Sequence, residues 1–293
     1  MPLATSNIQT AATMTNAART IGAILVDSGK LSPMDAERVL RLQKEQGLRF
    51  GDAALQLGLL TQQDIDQAFA RQYNYPYLLK GESKVGDELV AAYEPFSPQV
   101  EALRALRSQL MLRWFSGERE QKALAICSAG RGEGRSHLAA NLAVIFSQLG
   151  ERTLLVDADM RNPRQHEIFT LDNKAGLSAI LSGRGGIESI QRIPDLVDLS
   201  VLTAGPLPPN PQELLGQPAL AKLIDTAAGK FDVILVDTPP CADYADAQVV
   251  AARTKAALVV ARKHASSLAA TQQLAESLTQ TGVSLLGSVL TEF

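Results

Sequence analysis

The chain opens on two stretches whose apolar positions fall at helical spacing and repeat each other. Ile21 to Ser32 lays over Phe50 to Thr61 at a constant offset of 29 residues, pairing Gly22 with Gly51, Gly29 with Gly58, Asp35 with Asp64 and Gln43 with Gln72. Each unit reads as a short helix, a glycine stop, and a second helix capped near Ser32 or Thr61. Two such units packing apolar faces together predict a small helical domain over 18–80. A mobile tail at 1–17 precedes it, and a polar, glycine-containing linker at 81–95 follows. Ser97 and Pro98 then suit the cap and first turn of a helix. On it Leu103, Leu106 and Leu110 share an apolar face, and Glu101, Arg104 and Arg107 a charged one. Further on the period changes. Apolar runs at Leu124–Ile126, Leu154–Val156, Val233–Val236, Ala257–Ala261 and Leu285–Leu290 read as buried strands separated by helical patterns. That alternation predicts an α/β domain over 96–293 with a doubly wound, mostly parallel sheet.

The chemistry gathers where strands end. After Leu124–Ile126 come Gly130, Gly132 and Gly134, then Leu138, Leu142, Ile145, Phe146 and Leu149 at helical spacing. Strand, glycine-rich turn and helix N-terminus form an anion cradle, because unpaired N–H groups and the helix dipole converge there. The usual phosphate loop ends in Gly-Lys-Ser/Thr. Here Gly134 is followed by Arg135 and Ser136, which keeps the charge but makes it a planar fork. Two later strands deliver Asp157, Asp159 and Asp237 to their carboxyl ends, the edge at which open parallel sheets bind ligands. Three carboxylates in one place call for a cation among them. Mg²⁺ held by a few oxygens and nucleotide phosphates meets that need.

Composition narrows the class only a little. A formal net charge of −3 gives no basic footprint for nucleic acid. Two cysteines, Cys127 and Cys241, imply no disulfide framework and suit a cytoplasmic protein. No apolar run approaches the roughly 18 residues of a membrane span, and the first residues lack a secretory pattern.

From Ser97 onward the sequence resembles the bacterial tyrosine kinases of exopolysaccharide and capsule export, relatives of the ParA and MinD ATPases. Ser128 to Ser136 resembles their Walker A loop, Leu154 to Arg161 the A-prime motif D-x-D-x-R, and Ile234 to Pro239 the Walker B strand. Glu101, Arg104 and Arg107 resemble the E-x-x-R-x-x-R signature of ring assembly, and Gly205 to Leu215 resembles a further family segment. The helical region resembles the N-terminal domain of type II secretion and type IV pilus ATPases. Together the parts resemble the EpsG group of chain-length-determinant tyrosine kinases.

The resemblance implies phosphoryl transfer from Mg-ATP to protein tyrosine, in control of polysaccharide chain length. It implies catalysis by Asp157, Arg135 and Asp159, and ATP contacts from Gly130, Gly132, Glu133, Gly134, Arg135, Ser136, His137 and Arg161. The metal falls to Ser136, Asp159 and Asp237, and ring contacts to Glu101, Arg104 and Arg107. The implied partner is a membrane-anchored chain-length determinant, or co-polymerase, that recruits a cytoplasmic homo-oligomer to the inner membrane. Some secretion-type domains bind cyclic di-GMP through R-[LI]-G-x-x-L-x-x-x-G. Arg49, Gly51 and Gly58 fit that pattern, whereas Gly22 and Gly29 follow an arginine displaced by one, at Arg19. A protein-docking module is the equal alternative for this domain. Two features depart from the kinase pattern: arginine at 135, and no tyrosine after Tyr244. Phosphorylation of a C-terminal tyrosine cluster is therefore not expected, and Tyr244 reads as structural, with acceptor as its second reading. A non-phosphorylating ATPase or a nucleotide-gated switch, one that answers to cyclic di-GMP included, stays open. A MinD-like positioning ATPase is disfavoured for want of an amphipathic membrane helix at the end of the sequence.

Overall fold

A computed structural model describes residues 20–72, 77–81, 83–115 and 121–293; the tail read at 1–17 lies outside them. The chain divides into two compact units after Tyr77.

The first unit holds α1 (Ile21–Asp27), α2 (Pro33–Gln46), α3 (Phe50–Gln56) and α4 (Gln62–Gln72). The repeat is visible in its caps. Ser32 Oγ accepts from Asp35 N at 3.0 Å, and Thr61 Oγ1 accepts from Asp64 N at 3.2 Å, each ahead of the second helix of its unit. The units are crossed rather than side by side: α1 packs on α4 and α2 on α3. Ile24, Leu25, Val39, Leu60 and Ile65 fill the core between them. This packing explains the repeated glycines. A Cβ on Gly22 would lie 3.2 Å from the Phe50 ring, and one on Gly51 3.4 Å from Ile65. Gly29 and Gly58 take φ of 71° and 65°, the left-handed stop after α1 and α3. Arg49 stands exposed just before α3.

The second unit begins with α5 (Val90–Tyr93) and α6 (Pro98–Arg113), then β1 (Ala123–Ser128), α7 (Arg135–Ser147) and β2 (Thr153–Asp157). Next come α8 (Gln165–Ile168), α9 (Leu177–Leu181), β3 (Gln191–Arg192), β4 (Leu199–Leu202), α10 (Pro211–Gly216) and α11 (Pro218–Ala228). The unit closes with β5 (Val233–Asp237), α12 (Asp246–Thr254), β6 (Ala256–Arg262), α13 (Leu268–Gln280) and β7 (Ser284–Thr291). The sheet runs β3-β4-β2-β5-β1-β6-β7, parallel throughout except where β3 meets β4. Alternate strand residues feed opposite faces. Leu124, Ile126, Leu155, Val233 and Leu235 join one core. Ala125, Cys127, Leu154, Val156, Ile234 and Val236 join the other. This is the doubly wound architecture the alternation predicts.

The linker expected over 81–95 is instead part of this unit. Leu89, Ala91, Ala92 and Tyr93 are buried in the first core. Asn141, itself buried in α7, accepts from Ala91 N at 2.9 Å and donates to Glu88 O at 3.1 Å. The Tyr93 hydroxyl donates to Val85 O at 2.7 Å. The stretch reads as a linker because polar residues and two glycines precede its one short apolar run, Leu89–Tyr93, whose partners lie in a helix fifty residues later.

Among the described residues no helix is long and apolar enough to cross a membrane. One glycine fixes the approach of α9 to the sheet. A Cβ on Gly176 would lie 2.2 Å from Thr203 O and 2.5 Å from Gly205 N, both backbone atoms. Gly176→Ala must push two main-chain segments apart, and about 2–3 kcal/mol of destabilisation is expected. A urea midpoint that stays put would contradict this, provided the slope is unchanged.

Candidate functional site

The carboxyl ends of β1, β2 and β5 meet at the centre of the sheet, and the order β2-β5-β1 decides what they bring together. Asp157 on β2 and Asp237 on β5 are register partners, which sets their backbones about 4.8 Å apart. Both are fully buried, and Asp159 nearly so. β1 lies on the other side of β5 and runs into the glycine-rich turn, so the carboxylates line one side of the cradle. Gly132 and Gly134 take φ of 68° and 90°, where a side chain would be strained, and Gly134 caps α7 without a side chain of its own.

Buried carboxylates need partners, and most of these come from the backbone. Asp157 accepts from the amides of Asp159 (3.1 Å), Arg164 and Gln165 (both 3.0 Å). Asp159 accepts from the amides of Arg161 (3.2 Å) and Asn162 (2.9 Å). Asp237 accepts from Gln165 Nε2 at 2.8 Å, and the Ser136 side chain is among the groups that favour its charged form. Burial, and then the Asp237 charge, hold the Asp157 pKa well above the ordinary carboxylate range. Burial raises Asp237 as well, opposed by Arg135, Gln165 and Ser136.

Arg135 lies inside the cradle wall. Its Nε donates to Thr238 O at 2.8 Å, and its Nη1 donates to Gly130 O at 2.8 Å and to Ser128 Oγ. The fork thus ties the loop to the end of β5, and its charge faces Asp237. Glu133 is buried too, its carboxylate accepting from Gly130 N at 2.9 Å and from the Ser266 hydroxyl. A Cβ on Gly130 would lie 3.2 Å from that carboxylate. Ser136 is half-buried at the start of α7.

Two of the residues assigned to the cofactor point elsewhere. His137 lies against Glu88, and burial keeps its pKa below the ordinary value despite that neighbour. The Arg161 side chain pairs with buried Asp246 at 3.0 Å and stacks over the Tyr244 ring, its guanidinium carbon 3.7 Å from the centroid. The stripe on α6 is also split: Arg104 pairs with exposed Glu101, while Arg107 is half-buried and donates to Ile145 O at 3.3 Å. Sequence reasoning missed Gln165, Thr238, Asp246 and Ser266. A lone glutamine carries no signal of its own, and the contact from Thr238 is made by its carbonyl.

The residues fit a divalent cation. Asp237 Oδ1 and Gln165 Oε1 are buried without a partner, and both are acceptors on residues that bond each other beside Asp157. A cradle of amides, a buried guanidinium and paired carboxylates on one sheet edge define a P-loop nucleotide-binding fold.

Residues 119–291 match the ParA family model, described as the NUBPL iron-transfer P-loop NTPase. Over 208 residues the chain is 35% identical to the tyrosine-protein kinase YwqD of Bacillus subtilis, covering 71% of this chain and 87% of that one. The kinase domain of the Escherichia coli tyrosine kinase ETK superposes with a TM-score of 0.66 at 33% identity, covering 70% of this chain and 79% of that one. The chimerical protein CapA2B2 gives 0.65 at 36%, covering 76% and 97%. The chain belongs to the P-loop family of bacterial tyrosine-protein kinases, relatives of ParA and MinD. The helical unit lies ahead of the stretch that the family model matches.

Proposed function

We propose that this chain binds Mg-ATP at the carboxyl edge of β1, β2 and β5 and transfers the γ-phosphoryl group to protein tyrosine. The observation that carries the reading is the register pairing of Asp157 with Asp237 beside the amide cradle. Arg135, Ser136 and the amides of Gly130, Gly132, Glu133 and Gly134 hold the phosphates. Asp157 takes the proton of the attacking hydroxyl, a task its raised pKa suits. Ser136, Asp159 and Asp237 are the groups that would hold Mg²⁺, which supplies positive charge to the phosphate oxygens. His137 and Arg161 act one step back, His137 on the strap at Glu88 and Arg161 on the loop that carries Tyr244.

The wider setting is part of the proposal. The chain works in exopolysaccharide export as a cytoplasmic homo-oligomer. A membrane-anchored chain-length protein recruits it, and Glu101, Arg104 and Arg107 contribute to contact between copies. The helical unit serves as a docking module. Cyclic di-GMP is its second reading and rests on exposed Arg49, since packing accounts for the motif glycines.

One observation favours a second reading of the nucleotide site. Arg135 is tied to three acceptors of the protein itself, Thr238 O after β5, Ser128 Oγ at the end of β1 and Gly130 O in the loop, which suits a switch that binds ATP and turns over slowly or not at all. Incubation with γ-labelled ATP, Mg²⁺ and the cytoplasmic segment of the chain-length protein separates the readings. Phosphotyrosine above an Asp157→Asn control is expected. Phosphate release without phosphotyrosine would mean an ATPase, and ATP binding with neither would mean the switch.

A further inference from the structure

Gln165 is fully buried and touches both carboxylate strands and the cradle. Its backbone N–H donates to Asp157 Oδ2 at 3.0 Å. Its Nε2 donates to Asp237 Oδ2 at 2.8 Å and to Ser136 O at 3.1 Å. These contacts fix which way the amide faces. Turned over, Oε1 would oppose a carboxylate and a carbonyl, acceptor against acceptor. Oε1 therefore points away from both, and it is buried with no partner. Asp237 Oδ1 is in the same condition. One orphan thus lies on each residue of the Nε2–Oδ2 contact.

Both orphans are acceptors, and a carboxylate already supplies negative charge. The species that satisfies the pair is a donor with positive charge and water around it. Mg²⁺ fits, because it gives up its waters reluctantly and is often held through them. We propose that Gln165 is a positioning residue for the cation of the nucleotide complex. Its Oε1 accepts from a cation-bound water, while its Nε2 holds the Asp237 carboxylate so that Oδ1 faces the same cation. This rests on the Mg-nucleotide reading of the site.

The test is binding of a fluorescent ADP analogue to the full chain, first with chelator and then across a Mg²⁺ titration. In the parent chain Mg²⁺ tightens binding. Gln165→Met removes the acceptor and, with each protein compared with its own affinity in chelator, is expected to raise half-saturating Mg²⁺ about tenfold. Gln165→Glu restores an acceptor at Oε1, and its protonated form still donates to Asp237. It is expected to keep the Mg²⁺ response within about threefold of the parent. Full Mg²⁺ tightening in Gln165→Met overturns the proposal, as does an equal loss in both variants, because Gln165→Glu keeps the acceptor. Melting curves establish that the variants fold. If Gln165→Met does not, Gln165→Glu decides, and loss of its Mg²⁺ response overturns the proposal. A parent chain that binds no ADP sinks the nucleotide reading itself, a result distinct from all of these.

Discussion

Arg135→Ala is expected to cost the fold about 3 kcal/mol and to weaken nucleotide binding on the order of a hundredfold. The guanidinium is buried and donates to Thr238 O, Gly130 O and Ser128 Oγ. Gly130 O keeps a second donor, the Ser128 hydroxyl at 2.8 Å, so the acceptor left exposed to the loss is Thr238 O. One unpaired buried acceptor costs about 1–3 kcal/mol. Loss of the cation beside Asp237 adds to it, because removing one partner of a buried pair leaves an uncompensated charge, at about 3–5 kcal/mol in full. Desolvation of the guanidinium, no longer required, offsets part of both. Affinity falls because the cradle keeps its amides but loses its fixed positive charge, and a hundredfold corresponds to about 2.8 kcal/mol. Arg135→Lys separates the two parts. It keeps the charge near Asp237, but one ammonium does not reproduce the fork that spans Thr238 O and Gly130 O. Affinity within about tenfold of the parent is expected, with most of the stability loss retained. Urea unfolding and nucleotide titration of the three proteins decide it. Unchanged stability in Arg135→Ala would show that the fork does not brace the loop.

The sequence carried Asp157 and Asp237 plainly because each ends an uninterrupted apolar strand, and such strands need few partners to be recognised. Their register pairing was not legible, since β5 enters the sheet between two strands that come far earlier in the chain. β3 and β4 escaped notice for a local reason. Leu199–Leu202 is four residues long and follows a proline-containing turn, too short for a periodic signal. The strap at 83–95 is not legible because its backbone is held by Asn141, one polar residue within the apolar run Leu138–Phe146 of α7. The repeat was legible to the residue, yet crossed pairing of α1 with α4 is a tertiary choice that an offset of 29 does not encode. Arg135 shows the same limit at the site. Its charge and position were readable, but its three acceptors are a carbonyl after β5, a carbonyl within the loop and a hydroxyl from β1.

Asp157→Asn is expected to lower phosphoryl transfer about a thousandfold and, in alkaline solution, to raise the stability of the nucleotide-free protein. The first effect follows from loss of the proton acceptor, which contributes roughly 10²–10⁴ in rate. The second follows from burial. With nucleotide absent and metal chelated, Asp157 ionises with difficulty because it is buried and because Asp237 lies beside it. A carboxyl whose pKa is higher in the folded state contributes stability that is fully present below its unfolded pKa of about 3.9. That contribution is lost as pH rises through the folded value. Asparagine is neutral throughout, so this loss disappears, and the removal of one negative charge also eases the ionisation of Asp237. At acid pH the order reverses. The carboxyl oxygens accept from three amides, those of Asp159, Arg164 and Gln165. A protonated carboxyl keeps lone pairs on both oxygens, but the amide NH₂ accepts nothing and must face one of those N–H groups. That mismatch costs about 1–3 kcal/mol. Plotted against pH from 5 to 9, the melting temperatures of parent and variant in chelator should therefore cross. The parent leads at the acid end and the variant at the alkaline end. Parallel curves would refute the account of Asp157 as a buried, reluctantly ionised group, whatever the variant does to phosphoryl transfer.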